Sequence, residues 1–279
     1  MGDLSDDARG PAMDHVEVGR YWDRNADAWV ALSRAGYDVY RDLVNTPAFL
    51  AMLPDVTGAS GLDLGCGEGH NTRRLAERGA RMTAIDIAGR FVAAAVAEER
   101  RQSLGIWYVR ASAASLPFGH EAFDFATAFM SLMDMPDVEV VLAEVYRVLR
   151  PGGFLQLSIE HPCTATPNSG WITDAGGDRV GWVIDGYFNQ EPYISTWLFS
   201  AAPEDTRRGL PPLQIPRFPR TLSRWLNTIV SAGLVVEAAG EPCADDAAIA
   251  RYPKLAGTRT APLFLHLRCR KPACTAVAS

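Results

Sequence analysis

A glycine-rich turn, Asp63-Leu64-Gly65-Cys66-Gly67-Glu68-Gly69, and a later acid, Asp86, are the residues whose types and spacing could do chemistry. Glycines let a backbone turn tightly and let a ligand approach where a Cβ would stand. The spacing is G-x-G-x-G. The dinucleotide fingerprint G-x-G-x-x-G would need glycine at position 70, which is His70. A pyrophosphate is therefore not the favoured ligand. Asp86 follows about 20 residues on, at the end of an apolar run, where a carboxylate can accept both ribose hydroxyls. Turn and acid together fit a nucleoside without a phosphate bridge. Cys66 lies within the turn and reads as a small filler rather than a nucleophile.

The elements that must position these residues follow from periodicity. From Val16 to Leu53 apolar residues recur at helical spacing, among them Val18, Tyr21, Trp22, Ala26 and Trp29. From Gly61 to Ile159 short apolar runs alternate with amphipathic stretches: strands at Gly61–Leu64, Arg81–Asp86, Ile106–Val109, Phe123–Phe129 and Phe154–Ile159, and helices at Asn71–Arg78, Phe91–Ser103 and Val138–Leu149. This alternation predicts an α/β fold, a parallel sheet with helices on both faces. Residues 162–219 break the rhythm with eight aromatics and many prolines and glycines, and read as an irregular cap. Thr221 is a candidate N-cap for a helix to Ala232, and Leu234–Val236 and Leu263–Leu267 close the sheet. The expected division is a disordered tail (1–14), an N-terminal helical lid (15–54), an α/β core (55–161), a cap (162–219) and the rest of the core (220–270).

Asp63 to Gly69, Asp86, Leu116-Pro117-Phe118, Phe123-Asp124 and Leu149-Arg150-Pro151-Gly152-Gly153 together resemble the class I S-adenosylmethionine-dependent methyltransferases. The nearest likeness is to the small-molecule branch that includes the ubiquinone and menaquinone biosynthesis enzymes, over roughly residues 55–160. The resemblance implies a Rossmann-like, mostly parallel seven-stranded sheet. It implies S-adenosylmethionine as cofactor and S-adenosylhomocysteine as its product. In such a site the loop of Gly65, Cys66 and Gly67 faces the methionine and ribose, Asp63 helps hold the amino group, Asp86 holds the ribose and Ile87 packs on adenine. The family often has an aspartate where Ser112 stands; here a hydroxyl, with Ala113 beside it, takes that place. Met130 follows the fourth strand beside the cofactor. The NPPY-type loop of nucleic-acid amino-methyltransferases is replaced by Met130-Ser131-Leu132-Met133-Asp134.

Oxygen and nitrogen acceptors need a proton removed, often by His, Asp or Glu. Methylation of an alkene instead leaves a carbocation, which aromatic faces stabilise by about 0.5–2 kcal/mol per contact. The aromatic density of helix and cap points to a bulky, apolar or cationic small molecule, with Tyr21, Trp22, Trp29, Tyr187 and Trp197 as candidate substrate contacts. With those aromatics the chain resembles natural-product prenyl C-methyltransferases of the teleocidin-pathway type. That implies C-methylation of a geranyl-type chain, with cyclisation, and Tyr21 stacked on the cation. His161 or Glu160, just past the fifth strand, is the candidate proton acceptor. The rival expectation is O- or N-methylation of an aromatic scaffold with the same base. A more distant one is a nucleoside-binding protein without catalysis.

The chain has 279 residues, 48% hydrophobic and 22% charged, as expected of one large globular unit or one with an insertion. A net charge of −6 argues against a nucleic-acid footprint. Five scattered cysteines without a C-x-x-C pair argue against a disulfide framework or zinc site, and no metal is expected. The acidic start lacks an apolar signal core, which predicts a cytoplasmic location, and no apolar run is long enough for a bilayer. The aromatic face of the N-terminal helix is expected to cover the site, with a homo-oligomer in which that helix lies at or near it.

Overall fold

The computed structural model describes residues 13–273; the expected tail lies almost wholly outside them. Helix α1 (His15–Arg34) starts at Asp14, whose side chain accepts from the Glu17 N–H. A π-helical turn, Arg41–Asn45, runs into α2 (Thr46–Met52). Then come β1 (Ser60–Leu64), α3 (His70–Glu77), β2 (Arg81–Asp86), α4 (Gly89–Arg101), β3 (Trp107–Arg110) and β4 (Phe123–Phe129). A 3-10 turn (Leu132–Asp134) leads to α5 (Val138–Val148) and β5 (Leu149–Glu160). The cap follows as β6 (Gly170–Thr173), β7 (Arg179–Val183), β8 (Tyr193–Trp197), α6 (Glu204–Arg207) and β9 (Leu213–Arg217). The chain closes with α7 (Leu222–Ser231), β10 (Val235–Gly240), α8 (Asp246–Arg251), a 3-10 turn (Pro253–Arg259) and β11 (Phe264–Arg270).

The main sheet has seven strands in the order β10-β11-β5-β4-β1-β2-β3. β1 to β5 run parallel, while β11 is antiparallel to both β5 and β10. The expected mostly parallel α/β sheet is thus observed. Its order reverses between β1 and β4, and open sheets bind ligands outside the carboxyl ends of strands at such a switch point.

Side chains alternate across a strand, so register decides what each face carries. One face presents Leu62, Leu64, Ala126, Ala128, Leu155, Leu157 and Leu267, the largest buried apolar cluster. On the other face Asp63 stands opposite Thr127 and Thr127 opposite Gln156, while Ser158 stands opposite Phe129 and His266. The first turns cover that polar stripe: Gln156 Nε2 donates to the Phe49 carbonyl at 2.6 Å, and Asn45 Oδ1 meets Ser158 Oγ at 2.9 Å and His266 Nε2 at 2.5 Å.

Two expectations change. Strand β5 begins at Leu149, not Phe154, because Pro151-Gly152-Gly153 is carried within the extended run, with Gly152 at φ +79°. The cap is not irregular: β6 pairs with β7 and β8 with β9 as antiparallel hairpins. In β8 the half-buried residues Tyr193, Ser195 and Trp197 alternate with exposed ones, which is strand periodicity hidden among prolines. Among the described residues no helix is long and apolar enough to cross a membrane.

Candidate functional site

Strand β1 ends at Leu64, and Gly65, Gly67 and Gly69 follow with φ of +68°, +55° and +85°, conformations that favour glycine. The two critical glycines differ in what surrounds them. A Cβ on Gly65 would lie 2.5 Å from Ser131 Cβ, because the loops after β1 and β4 press together and Ser131 Oγ donates to the Leu64 carbonyl. A Cβ on Gly67 would meet nothing nearer than Phe91 at 4.0 Å; it would project into open cleft.

Asp86 at the end of β2 braces this loop. Its Oδ2 accepts from the Gly67 N–H and its Oδ1 from the Ala88 N–H, both at 2.8 Å. Asp63 is held by hydroxyls, Thr72 at 2.5 Å and Thr127 at 2.8 Å. Burial pushes both carboxyls up to about 6 despite those donors. Burial and then the two neighbouring acids push the Cys66 thiol well above its usual range, so it stays neutral.

Helix α1 roofs the loop. Its His15, Val18, Trp22 and Trp29 line the cleft, and Gly19 lets the helix approach Ile87, 3.1 Å from where a Cβ would be. Polar contacts seat it on α4 and on the glycine turn: Arg90 pairs with Asp27, the Arg90 N–H donates to Asp23, and Arg34 donates to Glu68 at 2.6 Å. Behind it Trp29 packs on Trp197 and Phe199, with ring centroids 6.2 and 4.9 Å away. Asn25 donates to the Gln214 carbonyl and accepts from its N–H, as a neighbouring strand would.

The cleft holds about 1110 Å³ of empty space, its mouth included. Asp63, Gly65, Cys66, Gly67, Asp86, Ile87, Ser112, Ala113, Met130, Trp22 and Trp29 all line it. One end is charged, where Asp38, Arg41, Glu68 and His70 meet; burial and then Arg41 push His70 down to about 4. Ser131, Asp134 and Met135 line the cleft from the segment after β4.

Five candidates stand elsewhere. Tyr21 lies under the Arg24 guanidinium, one helical position and so about 100° away from the cleft-facing Trp22. The Tyr187 hydroxyl accepts from the Leu222 N–H, and with Glu160 this tyrosine lines a separate hollow under the cap. Trp197 backs Trp29 rather than the cleft. His161 is buried, its Nδ1 accepting from the Cys163 N–H and its Nε2 3.0 Å from Glu241 but outside hydrogen-bond geometry; burial lowers its pKa. Asp134 was missed by the sequence reading. It stands just beyond the carboxyl end of β4, so the rule that singled out Asp86 could have found it. The helix covers the cleft of its own chain, so no neighbouring subunit is needed to supply it.

A family profile described as a methyltransferase domain matches residues 62–157. A malonyl-[acyl-carrier protein] O-methyltransferase of Enterobacter lignolyticus is 34% identical over 108 residues, 39% of this chain and 41% of that protein. A ubiquinone/menaquinone biosynthesis C-methyltransferase of Rhizobium etli is 38% identical over 141 residues, 47% of this chain and 54% of that protein. The chain thus spans 41% and 54% of the length of these two curated relatives. Among solved structures, an S-adenosylmethionine-dependent methyltransferase of Mesorhizobium loti is 33% identical with a TM-score of 0.66, over 80% of this chain and 96% of that one.

Proposed function

Because the chain belongs to the class I S-adenosylmethionine-dependent methyltransferases, we propose that it methylates a bulky, largely apolar small molecule at an oxygen or nitrogen. The observation that carries this reading is the make-up of the cleft. Trp22, Trp29, Phe91, Phe129 and Met130 supply its apolar surface, and Asp134, on the segment after β4, sets an ionisable group beside them. S-adenosylmethionine fits the other side: Gly67 leaves open the space a Cβ would fill, and buried Asp86 keeps acceptor capacity beyond its two backbone donors. Bound there, the cofactor supplies a methyl carbon already activated by a sulfonium.

The chain's own residues would then orient and exclude water. Asp86 takes the ribose hydroxyls, Ile87 packs on adenine, and Ser112 and Ala113 border its edge. Gly65, Cys66, Gly67 and Met130 border the methionine part, with Asp63 toward its amino group. Trp22 and Trp29 of α1 close the site over the substrate.

Carbon methylation of a prenyl chain is a second reading, favoured by the same aromatic wall, which can face a carbocation without Tyr21. Incubation with methyl-labelled S-adenosylmethionine and a metabolite extract, followed by mass spectrometry and NMR of the labelled product, separates the two. Label on oxygen or nitrogen is expected. Label on carbon selects the second reading, and no labelled product would reject both.

A further inference from the structure

Five carboxyls line the cleft: Asp38 and Glu68 at its charged end beside Arg41, and Asp63, Asp86 and Asp134. Two of the last three are already held by close donors. Asp63 accepts from two hydroxyls and Asp86 from two backbone N–H groups. Asp134 is different. It is 4% exposed, and among the described residues its carboxylate takes one hydrogen bond, from Arg217 Nη1 at a long 3.4 Å. The same nitrogen lies 2.9 Å from Glu160 Oε2. Two carboxylates thus share one nearly buried guanidinium, and that guanidinium is delivered by the cap strand β9. A second guanidinium, Arg220, is occupied by the carbonyls of Met135, Pro136 and Phe218. The remaining charged or titratable neighbours are the Tyr193 phenol from β8, and His15 of α1 paired with Asp137 at 3.0 Å.

From this geometry we infer that Asp134 is the proton-accepting group of the transfer site, that Arg217 positions it, and that the cofactor's positive charge readies it. The inference rests on the methyl-transfer reading above. A carboxylate as buried as Asp134, with a second carboxylate beside its one shared cation, does not stay ionised cheaply, so Asp134 tends to hold a proton. Burial, opposed by Arg217 and reinforced by Glu160, pushes the Asp134 carboxyl up to about 7. A cation entering the same cleft favours the carboxylate and expels that proton. The ionised oxygen is then free for the substrate. As the acceptor oxygen or nitrogen bonds the methyl carbon, the electron pair of the broken carbon–sulfur bond stays on sulfur. The acceptor's own proton passes to Asp134 and, once the neutral thioether product is present, the carboxyl retains it until release to solvent.

Isothermal titration calorimetry in buffers of different ionisation enthalpy tests this with S-adenosylmethionine and S-adenosylhomocysteine, which differ in the sulfonium charge. At pH 7 the cationic ligand should release up to about half a proton more than the neutral-sulfur ligand, since half the sites hold one near the pKa of about 7. Asp134→Asn should remove most of that difference while both ligands still bind, since Asp63 and Asp86, pushed only to about 6, hold little proton at pH 7. Arg217→Gln removes the nearby cation, so the pH of maximal release should move upward. Equal release by both ligands in the unaltered protein, or a difference undiminished in Asp134→Asn, would overturn the inference. Binding of neither ligand would instead overturn the methyl-transfer reading itself.

Discussion

At the scale of single residues, the glycine turn does two separable jobs. Gly65 is small because a neighbouring loop is there, whereas Gly67 borders open cleft, the space proposed above for the cofactor. Alanine at either position carries the strain of a positive φ, about 1–2 kcal/mol. Gly65→Ala adds a clash with Ser131, an overpacking cost of about 1–3 kcal/mol. Gly67→Ala adds no such clash but puts a methyl group into the space proposed for the cofactor. Denaturation should therefore rank Gly65→Ala as the less stable protein. Calorimetry should show Gly67→Ala losing at least about tenfold in S-adenosylmethionine affinity, roughly 1.4 kcal/mol. The opposite stability ranking, or undiminished affinity in Gly67→Ala, would contradict the division of labour.

At the scale of elements, α1 is a roof held from both sides. Its inner face carries Trp22 and Trp29 into the cleft, and its back is clamped to the cap by Asn25 and by Trp29 against Trp197 and Phe199. Trp197 and Phe199 of the cap therefore stabilise the roof rather than line the site. Asn25→Ala leaves both backbone groups of Gln214 without their partner, a loss of about 1–3 kcal/mol. The variant should keep the main sheet folded yet become more sensitive to limited proteolysis within residues 170–217. An unchanged cleavage pattern together with unchanged thermal stability would show that the clamp contributes little.

At the scale of the whole molecule, the polar stripe joins the N-terminal turns to the last strand across the sheet. His266 of β11 is buried against Asn45, and burial pushes its pKa down to about 4. The sign follows from linkage. Between about 6.5 and about 4 the unfolded chain takes up a proton that the folded chain refuses. The stability tied to neutral His266 is thus fully present above 6.5 and is lost as pH falls toward 4, at most about 1.4 kcal/mol per pH unit. His266→Gln can keep a donor toward Asn45 without titrating. Its unfolding free energy relative to the unaltered protein should rise as pH falls from 7 to 5. A difference that stays flat over that range would exclude the mechanism.

Local chemistry made much of this protein legible in its sequence. Strand and helix periods, the positive-φ demand met by glycine, the acid ending β2 and the Thr221 cap are all written within a few residues of one another. The cofactor side of the cleft is built from such short segments, each at a strand's carboxyl end, and so could be read in advance. The rest depended on contacts between distant parts of the chain. Tyr21 and Trp22 are adjacent and chemically alike, yet only the rotation of α1 against α4 and β9 turns Trp22 into the cleft and leaves Tyr21 outside it, under Arg24 of the same helix. Asp134 looks like any acid in a loop until β9 brings Arg217 from 83 positions away and burial removes its water. A side chain's type is local, whereas its solvation and its partners are set by packing. Tertiary structure alone therefore decided which of these acids burial pushes furthest up, to about 7.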